Sequence, residues 1–577
     1  MKVFLLHPED ALTQRHPAQH WDLVIDLGRA PDKTYQCWHR QIGCPVVSIY
    51  DHACETDDLY RLRELLQLGL NMLIDQSGID WWWVLSLEIA SQLHQFMLVR
   101  RLSKILAASC ELYSSRPHLL ATALSRLRGT RLTILKSRAQ SAIHTIRHYH
   151  HACSRLDISQ LVQVLEDKFD TDQSVRRQFT RRHISGQPII LLPSAYINVS
   201  RTAISYAELL PDHEFLLVHT RSTAKLTSLP KNVGSASLAP YFVPTDKRKT
   251  DCLLDSWNGL RKHLVHGAEE FRMADTLGVL GGVPALLRWG IALRDAWNQL
   301  FESQNVTACL SGDDSNPPSS IPLILAKRRG LPALAVHHGA LDYKMAIKMN
   351  HADFYLAKSE METDYMRRIC HLAPEKIVVA RPASSKESLS KRLACPSAPW
   401  LVFFTEPYRG YGWRTDEVYR DLLPRLCSLA QNCGLKLVFK LHPFESLKGH
   451  RRMLRRLIPE HEHQIEVLAG PPTDQLWNNA SFALTVQSST ALECTALGIP
   501  VFLCAWLRDS YSGYVQQYGR FGTGHILDSA EQIADIPRLL EKHEKSSHQR
   551  VRSTAIDADD FARLLAGTCS LPLVSSA

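Results

Sequence analysis

None of the fourteen cysteines forms a C-x-x-C pair. Cys37, Cys44 and Cys54 with His39 and His52 come nearest to a metal cluster, but their spacing fits no familiar zinc pattern. No metal is expected, and free thiols in a reducing compartment are the simpler account. Apolar runs of membrane length are missing as well. The most apolar long window, 79–99, is broken by Asp80, Glu88 and His94 and reads as a buried helix. At the N-terminus MKVFLLHPED, the apolar run is too short for a signal peptide, and Glu9 and Asp10 follow at once. Together these absences lead us to expect a cytoplasmic protein, soluble or peripheral on the inner face of the membrane. The charge excess is small: 67 Lys and Arg against 58 Asp and Glu, +9 over 577 residues, which by itself implies no nucleic acid.

What is present is an alternation of apolar strands and amphipathic helices over a chain too long for one core, with about three domains expected. Residues 1–124 read as an N-terminal α/β region, with strands at 3–6, 23–26, 46–49 and 111–113 and helices at 59–70 and 81–106. Residues 125–185 read as a basic helical insertion. The βαβ rhythm then resumes over 186–392, a Rossmann-like unit of parallel strands. A Ser-, Pro- and Lys-rich linker at 381–400 leads to a second Rossmann-like unit, 393–577, which ends in a helix near 558–565.

From Arg100 to Arg155 there are eleven Lys or Arg and one acid, Glu111. Such a stretch is either a solvated basic face or a surface for anionic lipid or an acidic glycan. No aromatic interleaving accompanies it, so nucleic acid is not expected as a partner.

Chemistry concentrates between Leu435 and Leu503. Two apolar segments, 435–439 and 482–486, read as buried parallel strands, each ending in a polar cluster. Lys440-Leu441-His442-Pro443 follows the first, and Gln487-Ser488-Ser489-Thr490 opens a helix after the second. Ligands of open α/β sheets bind beyond the carboxyl ends of the strands. Hydroxyls and amides at a helix start, with Lys440 and His442 nearby, suit a nucleotide phosphate. Taken singly, Ser-Ser-Thr is an N-cap and His-Pro a turn. Arg409, in the loop 405–412 after another strand, is either a further candidate phosphate contact or part of an ordinary turn, and that loop has no dinucleotide spacing. Glu493 either accepts a sugar diol or complements the helix dipole. In the preceding unit His338, before Gly339, is a candidate base at a strand end. Asp313 and Asp314 are its rivals, or else form a simple turn.

The pattern K-x-H-P, then S-S-T-x-x-E-x-x-x-x-G-x-P, resembles the C-terminal half of GT-B glycosyltransferases that build bacterial surface polysaccharides. It is similar to capsule-type Kdo and sialic acid transferases and to CDP-glycerol glycerophosphotransferases. Gly330 to Gly339 looks like their His-Gly turn, where the His is the proposed base; the match ends at Ala340-Leu341-Asp342. An acidic pair beside a Gly also occurs in sialyltransferase-like families, but the order Gly312-Asp313-Asp314 differs here. The resemblance implies an α/β, GT-B-like fold of two Rossmann-like domains facing a cleft. It also implies an inverting glycosyltransferase moving a sugar from a nucleotide-activated donor, cytidine favoured, to a glycan or glycolipid acceptor. Lys440, His442, Pro443, Ser488, Ser489, Thr490 and Glu493 would hold the donor, with no cofactor. A nucleotide-sugar 2-epimerase of the same fold and a non-catalytic subunit of a polysaccharide assembly complex are the alternatives.

Overall fold

The computed structural model describes residues 1–10, 20–135, 186–220, 229–243, 247–337, 341, 351–382, 399–443, 445–460, 464–507, 515–546 and 556–568. Three parallel sheets follow one another along the chain. The first contains β1 (Lys2–Leu6), β2 (Leu23–Asp26), β3 (Val46–Ser48), β4 (Glu111–Ser114) and β5 (Leu132–Ile134), in the order β3-β2-β1-β4-β5. The second contains β6 (Ile189–Ser194), β7 (Glu214–His219), β8 (Val233–Ser237), β9 (Val306–Ser311), β10 (Ala333–Val336), β11 (Phe354–Ala357) and β12 (Ile377–Val379), in the order β12-β11-β10-β9-β6-β7-β8. The third contains β13 (Trp400–Phe404), β14 (Lys436–Lys440), β15 (Ile465–Leu468), β16 (Ala480–Thr485), β17 (Val501–Cys504) and β18 (His525–Leu527), in the order β15-β14-β13-β16-β17-β18.

Helices cover both faces of such sheets, so central strands are apolar on both sides. Every residue of β6 and of β13 is buried accordingly. In each sheet the strand order reverses beside the first strand, at β1/β4, β6/β9 and β13/β16. The crevices beyond those three points are the places where a ligand is expected.

β5 pairs with β4, so the first sheet continues past residue 124, while 136–185 lies outside the described residues. Much of the positive charge of 100–135 is spent inside the protein. Arg100 pairs with Glu269 and Glu270, Arg101 with Asp58, and Arg116 with Asp10. Arg126 and Arg128 donate to the carbonyls of Thr276 and Ser103.

The window 79–99 is indeed buried, but it breaks at Leu85 into Trp81–Val84 and Ser86–Ile105, the first capped by Asp80 accepting from Trp82 and Trp83 amides. Trp81 packs where only a glycine leaves room: a Cβ on Gly290, in the helix Val283–Ser303, would lie 2.3 Å from its ring. Trp82 and Trp257 stack at 6.4 Å beside it, in a core shared by the first and second sheets. Among the described residues no single helix is long and apolar enough to cross a membrane; a pair bent by 69°, Glu269–Thr276 with Val279–Ser303, passes by length and composition. Phe271 and Trp297 of that pair are fully buried in the core.

After the third sheet the chain returns. Helix Ala558–Leu565 inserts Phe561, Leu564 and Leu565 into the core of the second sheet, with Phe561 5.6 Å from Tyr206. Second and third sheets also touch directly through Arg201–Glu493 (3.1 Å) and Thr523–Met361 (3.2 Å). The architecture is α/β, with two Rossmann-like units in contact and an α/β region before them.

Candidate functional site

β14 begins on the exposed Lys436, continues through the buried apolar Leu437, Val438 and Phe439, and ends on Lys440, a cation only 5% exposed. Its Nζ donates to the Leu441 carbonyl at 2.9 Å. Burial, and then the nearby charge of Arg201, push its pKa down to about 8, with Glu445 and Glu493 opposing. Charges from both facing sheets therefore act on this one ammonium. The turn after it is closed by Glu445, three residues beyond His442. The His442 amide donates to Thr405 Oγ1 (3.0 Å) and to Glu445 Oε2 (3.1 Å), and the Thr405 hydroxyl donates to the same carboxylate. The His-Pro element is thereby tied to the end of β13. Burial raises the Glu445 pKa, while these hydrogen bonds and Lys440 restrain it. His442 is half-buried and Pro443 exposed.

Beyond β16, the Ser-Ser-Thr cluster departs from both expectations of it. Ser489 has helical backbone angles (φ −60°, ψ −14°) and makes no side-chain cap, so this is not an ordinary N-cap. Nor are all of the amides on offer to a phosphate. Ser488 Oγ accepts from the Thr490 amide (3.3 Å), and the amides of Ala491 and Leu492 bond to the carbonyls of Ser488 and Ser489 (both 3.0 Å). The hydroxyls remain: Thr490 Oγ1, and Thr485 Oγ1 at the end of β16, are buried with no hydrogen-bond partner among the described residues. Leaving such a group unpaired is costly, of order 1–3 kcal/mol, so sites of this kind call for a polar guest. On the following helix, Glu493 reaches across the cleft to Arg201 of the helix Ile197–Ala207, which follows β6.

In the second sheet, Asp313 is absorbed by its own loop. Its carboxylate takes the Ser315 amide (3.0 Å), the Ser315 hydroxyl (2.8 Å) and the Asn316 side-chain amide (2.5 Å). Asp314 sits against Tyr355, whose phenol is pushed well up by burial and then by that carboxylate. His338 lies outside the described residues, but its neighbour His337 is fully buried and tightly held. The His337 carbonyl accepts from Lys358 Nζ (2.8 Å), Lys358 pairs with Glu362 (3.0 Å), and the ring meets Tyr365 edge-on at 5.1 Å. Arg409 turns to the first sheet's side and pairs with Glu9. Among the described residues no three His, Cys, Asp or Glu side chains converge to hold a metal.

The structure thus gathers Lys440, His442, Ser488, Ser489, Thr490 and Glu493 around the end of β13, with Arg201 from across the cleft. Glu445 and Arg201 were not anticipated from the sequence, and Thr405 only as the first residue of the loop 405–412. Glu445 had a local signal, a carboxylate three residues beyond the His of a His-Pro turn. Arg201 had none.

The sequence matches no protein-family model, and no curated protein matches it. Solved structures do align. UDP-GlcNAc 2-epimerase from Methanocaldococcus jannaschii, in complex with UDP-GlcNAc and UDP, is 12% identical with a TM-score of 0.39, over 66% of this chain and 99% of that one. UDP-GlcNAc 2-epimerase from Neisseria meningitidis, bound to UDP-GlcNAc, is 10% identical with a TM-score of 0.39, over 66% and 99%. The wall teichoic acid polymerase TagF is 12% identical with a TM-score of 0.37, over 75% and 95%. At these values the likeness carries nothing about activity.

Proposed function

We propose that the protein is a glycosyltransferase that takes a sugar from a nucleotide-activated donor. The observation that carries this reading is Lys440, a buried ammonium at the end of β14 under the charge of Arg201, with the Thr485 and Thr490 hydroxyls, unpartnered among the described residues, at the same end of the sheet beyond β16. Cations and hydroxyl donors converging on one crevice suit a di- or monophosphate. The third sheet would hold the donor through Lys440, His442, Ser489 and Thr490, with Glu493 accepting from a ribose or sugar diol. The second sheet would hold a glycan or glycolipid acceptor.

The reaction is a single displacement. A base from the 186–392 unit, His338 or Asp314, takes the proton of an acceptor hydroxyl. That oxygen attacks the sugar carbon as its bond to the donor phosphate breaks, and Lys440 with Arg201 stabilises the charge on the departing phosphate. The turn contacts of Asp313 favour the other two as base. A cytidine nucleotide is the proposed donor base, on the strength of the His-Pro and Ser-Ser resemblance. Product analysis with and without acceptor tests the reading. A transferase releases free nucleotide at full rate only when acceptor is present. Isomerised sugar still linked to its nucleotide, formed without acceptor, would make the protein an epimerase instead.

A further inference from the structure

Beyond the ends of β1 and β2 the first sheet has a polar recess, made by Asp26 and the carbonyls of His7, Pro8 and Asp10, and it is occupied from within. Arg414, which precedes the helix Thr415–Asn432 of the third sheet's unit, enters it. Its Nε donates to Asp26 Oδ2 (2.8 Å) and its Nη2 to Asp26 Oδ1 (2.6 Å) and the His7 carbonyl (2.9 Å). Its Nη1 donates to the carbonyls of Pro8 (2.8 Å) and Asp10 (2.7 Å). A guanidinium has five N–H donors, and here each has an acceptor. The Trp38 ring lies 5.2 Å from the guanidinium carbon, and the Tyr35 hydroxyl braces Asp26 at 3.0 Å. The side chain is 6% exposed and that of Asp26 fully buried.

The loop leading into Arg414 is fastened along its length. The Arg29 amide donates to the Gly412 carbonyl (2.9 Å) and the Arg414 amide to the Arg29 carbonyl (2.7 Å), a short parallel bridge between the two units. Arg29 lies over the rings of Tyr50 (5.3 Å) and Trp413 (4.7 Å). Gly412, at φ +82°, is the residue that passes Tyr50, where a Cβ would come within 2.7 Å of the phenol oxygen. Arg409 adds its pair with Glu9. The same loop begins at Thr405, which holds the His442 amide and the Glu445 carboxylate. One stretch of ten residues therefore connects the ends of β1 and β2 to the Lys440 site.

We infer that the first sheet is a clamp for the 405–414 loop and that Arg414 is a positioning residue for the donor site. That the site takes a nucleotide rests on the function proposed above. A module engaged in this way by the protein's own arginine is a docking partner for that loop. Its contribution is to fix the strand-to-helix loop at the mouth of the third sheet. Lysine cannot replace Arg414, because a single ammonium cannot serve a carboxylate fork and three carbonyls together.

The test uses the full-length protein, with hydrogen exchange and CMP titration run on wild type, Arg414→Lys and Arg29→Ala. The second variant leaves the Arg414–Asp26 pair in place and serves if the first fails to fold. The clamp predicts at least tenfold faster exchange at the Arg29 and Arg414 amides, with β13 and β16 protection kept. It also predicts at least a fivefold higher Kd for CMP. Unchanged exchange at those amides overturns the clamp. Faster exchange with an unchanged Kd overturns the positioning role. A wild type that binds no nucleotide sinks the transferase reading and the positioning role with it, while the exchange arm still decides the clamp.

Discussion

Replacing Lys440 with methionine should stabilise the ligand-free protein while removing its affinity for nucleotide. The side chain is 5% exposed, and its pKa is pushed from the ordinary 10.5 down to about 8, mainly by burial. At about 1.36 kcal/mol per pH unit, keeping that ammonium charged at neutral pH costs the fold about 3 kcal/mol. Methionine fills similar space without charge but gives up the hydrogen bond to Leu441, worth about 1 kcal/mol. The net gain of about 2 kcal/mol corresponds to about 4–8 °C in the melting temperature of a domain this size. The sign with pH follows from linkage. Between pH 8 and 10.5 the unfolded chain binds the proton that the folded one has released, so wild type gains stability as pH rises through that window. Lys440→Met should lose this alkaline gain. Scanning calorimetry from pH 7 to 10 reads both effects, and nucleotide titration reads the binding. A methionine variant that is less stable than wild type and binds nucleotide as well would refute the reasoning, because Lys440 would then be a structural residue.

Other consequences are independent. His442→Ala should weaken nucleotide binding by about 1.5–3 kcal/mol, the range of a charge-assisted hydrogen bond, as isothermal calorimetry would register. His450 is packed between Tyr419 (5.2 Å) and Phe439 (5.6 Å), and burial pushes its pKa from 6.5 down to about 4. Stability tied to the neutral ring is full above pH 6.5 and falls away through pH 4, by about 3 kcal/mol at the extreme, so His450→Gln should flatten the acid limb of a denaturation series. If the 100–155 segment meets a bilayer, flotation should show binding to anionic but not neutral vesicles, weakening as salt rises. Binding to both or to neither would leave it a solvated face.

Much of the fold was legible because parallel strands buried on both faces announce themselves as apolar runs. Ile189–Ser194 and Trp400–Phe404 are such runs, and each begins its sheet. β5 escaped notice because it is three residues long and none of them is fully buried. The break at Leu85 was hidden by apolar spacing that continues across it; only the Asp80 cap marks that a short helix starts there. Within the site, Lys440, His442 and the Ser-Ser-Thr cluster stood out because each lies just past a strand. The amides of 490–492 could not be foreseen as occupied, since that depends on the turn geometry of Ser488 and Ser489. Partners far apart in sequence left no local pattern. Arg201 with Glu493 and Arg414 with Asp26 are pairs that only the docking of separate units creates.

Whether the crevice around Lys440 holds a nucleotide is decided by a thermal-shift comparison of CMP, CDP, UDP, GDP and ADP at equal concentration. A ligand that binds only the folded state raises the melting temperature in step with its affinity. CMP or CDP should give the largest rise, and Lys440→Met should abolish it. A shift with UDP alone would replace the cytidine donor by a uridine one. No shift with any nucleotide would mean that the Lys440 crevice is not a nucleotide site.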